Sequence, residues 1–155
     1  FQAEDGIRDD YWWLEFRSSD LVHMKADILL VSHSKMITDG IKEMIEQMNA
    51  SEEITIHSLG GTSDGSLGSD PMKIIDTINE ADSDREFLIF ADLGSAVLSS
   101  ELAFDMLEED QQKHYHLVDA PLVEGAFAAA ITAGVSDDLT QILAEAQNAG
   151  KKGWN

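Results

Sequence analysis

The chain has no cysteine in 155 residues, which excludes disulfides and thiolate-bound metal and fits a reducing compartment. Cations are scarce: ten lysines and arginines stand against thirty aspartates and glutamates, a formal net charge of −20. So acidic a surface repels a phosphate backbone, which argues against nucleic-acid binding and favours a docking partner with a basic face. Apolar runs are far shorter than the roughly 20 residues of a membrane span. There is no internal repeat and no low-complexity segment. What is present is 43% hydrophobic residues, which suits one compact domain.

Residues 1–23, "FQAEDGIRDDYWWLEFRSSDLVH", differ from the remainder of the chain. Clustered acids surround Tyr11-Trp12-Trp13 without sustained periodicity, just before a Met that opens a clean strand. They read as a non-native leader, and residues 24–155 as a single domain. A native extension whose tryptophans pack on the domain is the alternative. The signal-peptide pattern, a basic start and then an apolar core, is missing. Without the leader's six acids and two arginines the net charge is still −16, so the acidity belongs to the domain.

From Met24 the pattern alternates. Ala26–Val31 reads as a buried strand, followed by a helical stripe at Ile37, Ile41, Met44, Ile45 and Met48. Glu53–Leu59 alternates as a second strand and leads into the glycine-rich loop "GGTSDGSLGSD". Asp70-Pro71 caps and opens a helix continued by Ile74, Ile75 and Ile78. Phe87–Ala91 is a third strand, Ser95–Leu107 a helix and Tyr115–Val118 a fourth strand. Leu122–Ala133 is an alanine-rich helix whose small residues favour close packing on the sheet. Ser136 is expected to cap a last helix carrying Leu139, Ile142, Leu143 and Ala146. The fold class expected is α/β: a doubly wound, mainly parallel sheet of four to five strands with helices on both faces.

Ligands on such sheets gather beyond the carboxyl ends of the strands. The exits here are Ser32-His33-Ser34, Leu59-Gly60-Gly61-Thr62, Asp92-Leu93-Gly94-Ser95 and Asp119-Ala120-Pro121. His33 at this rim is a candidate nucleophile, provided one ring nitrogen is free and the other is fixed by a hydrogen bond. Asp92 is the expected acceptor of that bond. Ser34 and the first amides of the following helix suit an anion. Gly60, Gly61, Gly94 and Ser95 let further amides approach a phosphoryl group. By spacing alone a lone histidine ending a strand is more often structural, and both readings stay open.

Other chemistries fail on their residues. Gly60 and Gly65 have Walker-like separation, but Ser66 follows where a lysine is required, and no G-x-G-x-x-G follows the first strand. A receiver domain needs paired carboxylates where this chain has Ser-His-Ser. His114 and His116 share a strand face and Asp119 follows, yet no third strong ligand is evident, so no metal is expected. His57 reads as a half-buried structural residue. Met36, Met44, Met48 and Met106 are expected in the core. Glu101–Asp110 reads as a solvated helix face.

Taken together, "ILLVSHS", "GGTSDGSLGSD", "ADLGSAVLSSE" and "DAPLVEGAF" resemble the phosphotransferase subunit of dihydroxyacetone kinases that draw phosphate from phosphoenolpyruvate through the phosphotransferase system. The resemblance runs from Met24 nearly to the C-terminus, with four motifs in the right order. It implies the mannose-family EIIA fold, usually dimeric. It makes His33 the phosphorylated histidine and Asp92 the orienting acid, with Ser32, Ser34, Gly60, Gly61, Thr62, Gly94 and Ser95 lining the pocket. It also implies HPr as donor, the ADP-binding kinase subunit as acceptor, no cofactor, no membrane, a homodimer and a cytoplasmic location. No lysine or arginine clamp is expected at the rim, since one would hold phosphate too tightly to hand on. The alternatives are a mannose-type EIIA domain feeding a sugar transporter, whose paired glycines and proline are missing after Asp92, and a non-catalytic acidic docking module.

Overall fold

The structure is a computed structural model that describes residues 24–48 and 51–151; the expected leader, residues 1–23, lies outside them. The elements are β1 (Ala26–Val31), α1 (Lys35–Met48), β2 (Ile54–Ser58), α2 (Pro71–Glu80), β3 (Glu86–Ala91), α3 (Gly94–Met106), α4 (Glu109–Gln112), β4 (Tyr115–Leu117), α5 (Leu122–Ala133) and α6 (Leu139–Ala149). The four strands form one sheet in the order β2-β1-β3-β4, and every pairing is parallel. No described helix is long and apolar enough to cross a membrane.

All six residues of β1 are buried, as a central strand covered on both faces requires. Ala26, Ile28 and Leu30 join Ile56, Leu88 and Phe90 under α1, α5 and α6. Leu29 and Val31 join Phe87 and Ile89 under α2 and α3. This is the expected double winding. On α5, Ala126, Ala129, Ala130 and Ala133 are fully buried, so its small residues serve close approach to the sheet. At Gly125 a Cβ would stand 2.7 Å from the Cβ of Ala120 and 3.2 Å from the Phe90 ring.

Local chemistry sets the helix boundaries. Asp70 accepts from the Met72 amide and Pro71 opens α2, as expected. The last helix differs: Asp138, not Ser136, is its cap, accepting from the Thr140 and Gln141 amides. Ser136 lies two residues too early and accepts from Asp138 N–H instead. The acid-rich segment is interrupted where α3 stops at Leu107, whose side chain is buried, and α4 begins behind a Glu108–Gln111 capping box.

The methionines overturn an expectation. Met36 is 85% exposed, and Met44, Met48 and Met106 are exposed too. On α1 the inward positions belong to Thr38, Ile41 and Ile45. On α3 they belong to Ala96, Ser99, Ser100 and Ala103, which turns Leu98, Leu102 and Met106 outward.

Near the amino ends of β1 and β3, one carboxylate ties three strands together. Asp27, only 3% exposed on β1, accepts from the Nε of Arg85 and, at 2.9 Å, from Nε2 of His57 on β2. Arg85, just before β3, also donates to the carbonyls of Ala26 (2.9 Å) and Glu53 (2.7 Å). His57 is thus half-buried and structural, as expected. Burial pushes the Asp27 carboxyl up, but hydrogen bonds from His57 and Arg85, with their charges, outweigh it and hold it below the usual range. A depressed folded pKa stabilises above the unfolded value, and that stability disappears as pH falls through the folded one. Arg85→Met leaves a buried carboxylate held by His57 alone and takes a donor from two backbone carbonyls, and urea unfolding at pH 7 should show a loss of about 3 kcal/mol. Wild-type stability should fall as pH drops below about 4, the ordinary carboxyl value, and Asp27→Asn should flatten that drop.

Candidate functional site

The site is built where β1 turns into α1. Ser32 ends the buried strand with no exposed surface. Its hydroxyl donates to Asp92 Oδ2 at 2.6 Å and accepts from the Ser34 amide at 3.1 Å. One short side chain thereby ties the exits of β1 and β3 and closes the turn around His33. The imidazole of His33 is exposed and hydrogen-bonds to none of the described residues.

The expected bond from His33 to Asp92 is absent from this geometry. Both carboxylate oxygens of Asp92 are engaged, Oδ2 by Ser32 and Oδ1 by the Leu93 amide at 2.6 Å. Asp92 therefore reaches the histidine through Ser32 and the backbone between them.

The glycine loop is stitched to the same turn. Gly61 N–H donates to Ser32 O at 3.0 Å and Gly68 N–H to His33 O at 2.7 Å. Gly68 has φ +132° and Gly61 φ +77°, conformations that an L side chain rarely adopts. Gly60 carries the tightest constraint: a Cβ there would lie 2.3 Å from Ser34 O and 2.6 Å from Thr38 Oγ1. Its amide donates to that Thr38 hydroxyl, which is fully buried and also meets Ser58 Oγ at 2.7 Å.

Inside the loop, Thr62 donates to Asp64 at 2.6 Å and the Ser66 amide to the same oxygen at 3.1 Å. The Thr62 hydroxyl first, then Ser66, lowers the Asp64 carboxyl to about 2. Ser69 Oγ donates to Ser95 O at 3.1 Å and meets Ser99 Oγ at 2.7 Å, fastening the loop to α3. Gly94 opens α3 behind Leu93, whose side chain supplies no cap, so no Leu93 side-chain acceptor occupies the helix's first amides. Ser32, Ser34, Gly60, Gly61, Thr62, Asp92, Gly94 and Ser95 thus belong to connected segments around His33. Asp119, at the fourth exit, lines a cleft with Asp92, Val97 and Leu117.

The rim is not free of cations. Lys35 follows Ser34 and pairs with Asp39 at 2.8 Å. Lys73 on α2 donates to Gly60 O at 2.9 Å. Sequence reading missed Lys73, Gly68 and Thr38. Signals existed for Gly68, which lies in the glycine-rich loop, and for Thr38, which falls at helical spacing on the face of Ile41 and Ile45, but not for Lys73. Away from the rim, His114 Nδ1 and His116 Nε2 each donate to one oxygen of Glu86 at 2.7 Å, so their partner is that carboxylate and not Asp119.

Residues 27–143 match EIIA-man, the PTS system fructose IIA component. "PEP-dependent dihydroxyacetone kinase 2, phosphoryl donor subunit DhaM" of Listeria innocua is 43% identical over 121 residues, covering 78% of this chain and 96% of that protein. The corresponding DhaM of Providencia stuartii is 36% identical over 124 residues, and there this chain spans 26% of the relative's length. A crystal structure described as "unknown function protein EF1359" is 96% identical, with TM-score 0.81, and covers 85% of this chain and 100% of its own. Fold, motif order and these relatives agree: the chain belongs to the EIIA-man family.

Proposed function

We propose that the chain is a phosphoryl carrier in which His33 accepts phosphate from phospho-HPr and passes it to ADP held in the nucleotide-binding subunit of a dihydroxyacetone kinase. The observation that carries this reading is an exposed imidazole, unbonded among the described residues, on a turn fastened at Ser32, at the Ser34 amide and at the His33 carbonyl. A nucleophile that must meet a second protein needs that exposure. It also needs a fixed origin, because a misplacement of about 1 Å costs on the order of a hundredfold in rate. The relatives named as phosphoryl donor subunits support the same reading.

In the first transfer, a ring nitrogen of His33 attacks phosphorus in line. The new N–P bond forms as the donor's N–P bond breaks, and the electron pair returns to the donor imidazole. Charge spreads over three equatorial oxygens of a loose transition state. The amides opening α1 and α3, with the hydroxyls of Ser34 and Ser95, supply the dipoles for it, while Gly60, Gly61 and Thr62, whose amides are bonded within the protein, form the wall of the pocket. In the second transfer the terminal oxygen of ADP displaces His33 and restores its neutral ring. Asp92 orients the site by holding Ser32. Exposed Met36, Leu67 and Leu93 come from the three segments around His33 and offer apolar surface to a protein partner. On this reading the protein takes no cofactor of its own and works as a cytoplasmic homodimer.

With enzyme I, HPr and phosphoenolpyruvate, wild-type protein should gain an acid-labile phosphate that His33→Gln lacks; a fully labelled variant overturns the reading. Ser32→Ala and Asp92→Asn should each slow phosphorylation by roughly tenfold or more. Because they break one link, the double variant should be no slower than the slower single one, a non-additivity that a mutant cycle measures.

A further inference from the structure

Lys73 is the cation at the rim whose charge is aimed neither at solvent nor at a carboxylate partner. It belongs to the first turn of α2 and is partly buried, with Nζ donating to Gly60 O at 2.9 Å. The carbonyl of Gly60 and the amide of Gly61 are two ends of one peptide group. That amide donates to Ser32 O at 3.0 Å. The Ser32 carbonyl in turn shares a peptide group with the amide of His33, which donates to none of the described residues. An ammonium group is therefore connected to the His33 N–H through two peptide groups in series: the first accepts at its oxygen and donates at its nitrogen, and the second accepts at its oxygen and keeps its N–H unbonded among the described residues.

We infer that Lys73 is a positioning residue for phosphoryl transfer at His33, acting by polarising this chain of peptide groups so that the His33 amide becomes a stronger donor to the phosphoryl oxygens. The inference rests on the phosphohistidine reading above. Hydrogen bonds in series strengthen one another by roughly 10–30% per bond, and a preset donor costs no reorganisation when charge develops. A lysine touching the phosphate would form a charge-assisted pair that resists release. Lys73 avoids that contact by delivering its effect through the backbone. The glycine at position 60 is a condition of the arrangement, since a Cβ would push this peptide group off the Ser34 carbonyl. Asp70 is bonded to Ser63 Oγ and the Met72 amide, and Lys73 is only the last cause of its lowered carboxyl. The ammonium is thus left to Gly60.

Lys73→Gln keeps an N–H donor and removes the charge, whereas Lys73→Arg keeps both. Phosphorylation of His33 by phospho-HPr would be followed with each, alongside the amide proton shifts of Gly61 and His33 by NMR. Lys73→Gln should lower kcat about tenfold, less than the hundredfold of removing an oxyanion donor outright, with KM within about twofold. It should move both amide protons upfield, and Lys73→Arg should restore rate and shifts. A wild-type rate in Lys73→Gln, or a slow variant whose His33 amide proton does not move, overturns the relay. Label appearing in His33→Ala would overturn the underlying reading instead, so the two failures are distinct.

Discussion

The closeness of two backbones at Gly60 is the constraint on which the site depends. No other residue fits there without displacing the Ser34 carbonyl or the Thr38 hydroxyl. Because the loop after β2 can lie against the turn after β1, Gly61 reaches Ser32 and Gly68 reaches His33. The turn is then bounded by Asp92 on one side and the loop on the other. An exposed histidine on an ordinary surface turn would sample many positions. Here its backbone is held while its ring is bonded to none of the described residues, which suits the proposed role of a group found by a second protein and then released.

Electrostatics divides in a similar way. The protein is strongly acidic overall, yet several of its few cations are committed to internal acceptors. Arg85 joins a buried carboxylate to two carbonyls, Lys73 bonds a carbonyl, and Lys35 pairs along its own helix. Their charges organise backbone and strand ends, and the outer surface keeps its negative sign. Such a surface attracts a basic protein at long range, while on the proposed reading a phosphoryl group at His33 would meet mostly peptide dipoles at short range.

Much of this was legible in the sequence, because period and punctuation carry it. Ala26–Val31 and Leu122–Ala133 were bounded as found, one by an unbroken apolar run and the other by Pro121 and Gly134. The four rim exits followed from parallel topology alone. The failures were of direction and reach. Met44 and Met48 obey helical spacing, but Ile41 and Ile45 take the inward face of that helix. Asp92 falls at the expected exit, but its oxygens were already claimed by Ser32 and Leu93. Lys73 belongs to a helix that sequence distance puts far from His33, and only the folded loop brings its ammonium to Gly60. Such links depend on backbone carbonyls, which no residue letter reports.

The Asp27 anchor and the His33 turn lie at opposite ends of one strand, about 20 Å apart at the usual rise per residue. The buried Asp27 carboxylate is thus remote from the proposed reactive group. Changes at the rim, in the loop tip or in the exposed residues around His33, leave Arg85 and its three strands untouched. A lineage can retune which partner the histidine meets without re-solving the problem of folding, and one small domain can serve in proteins of very different length.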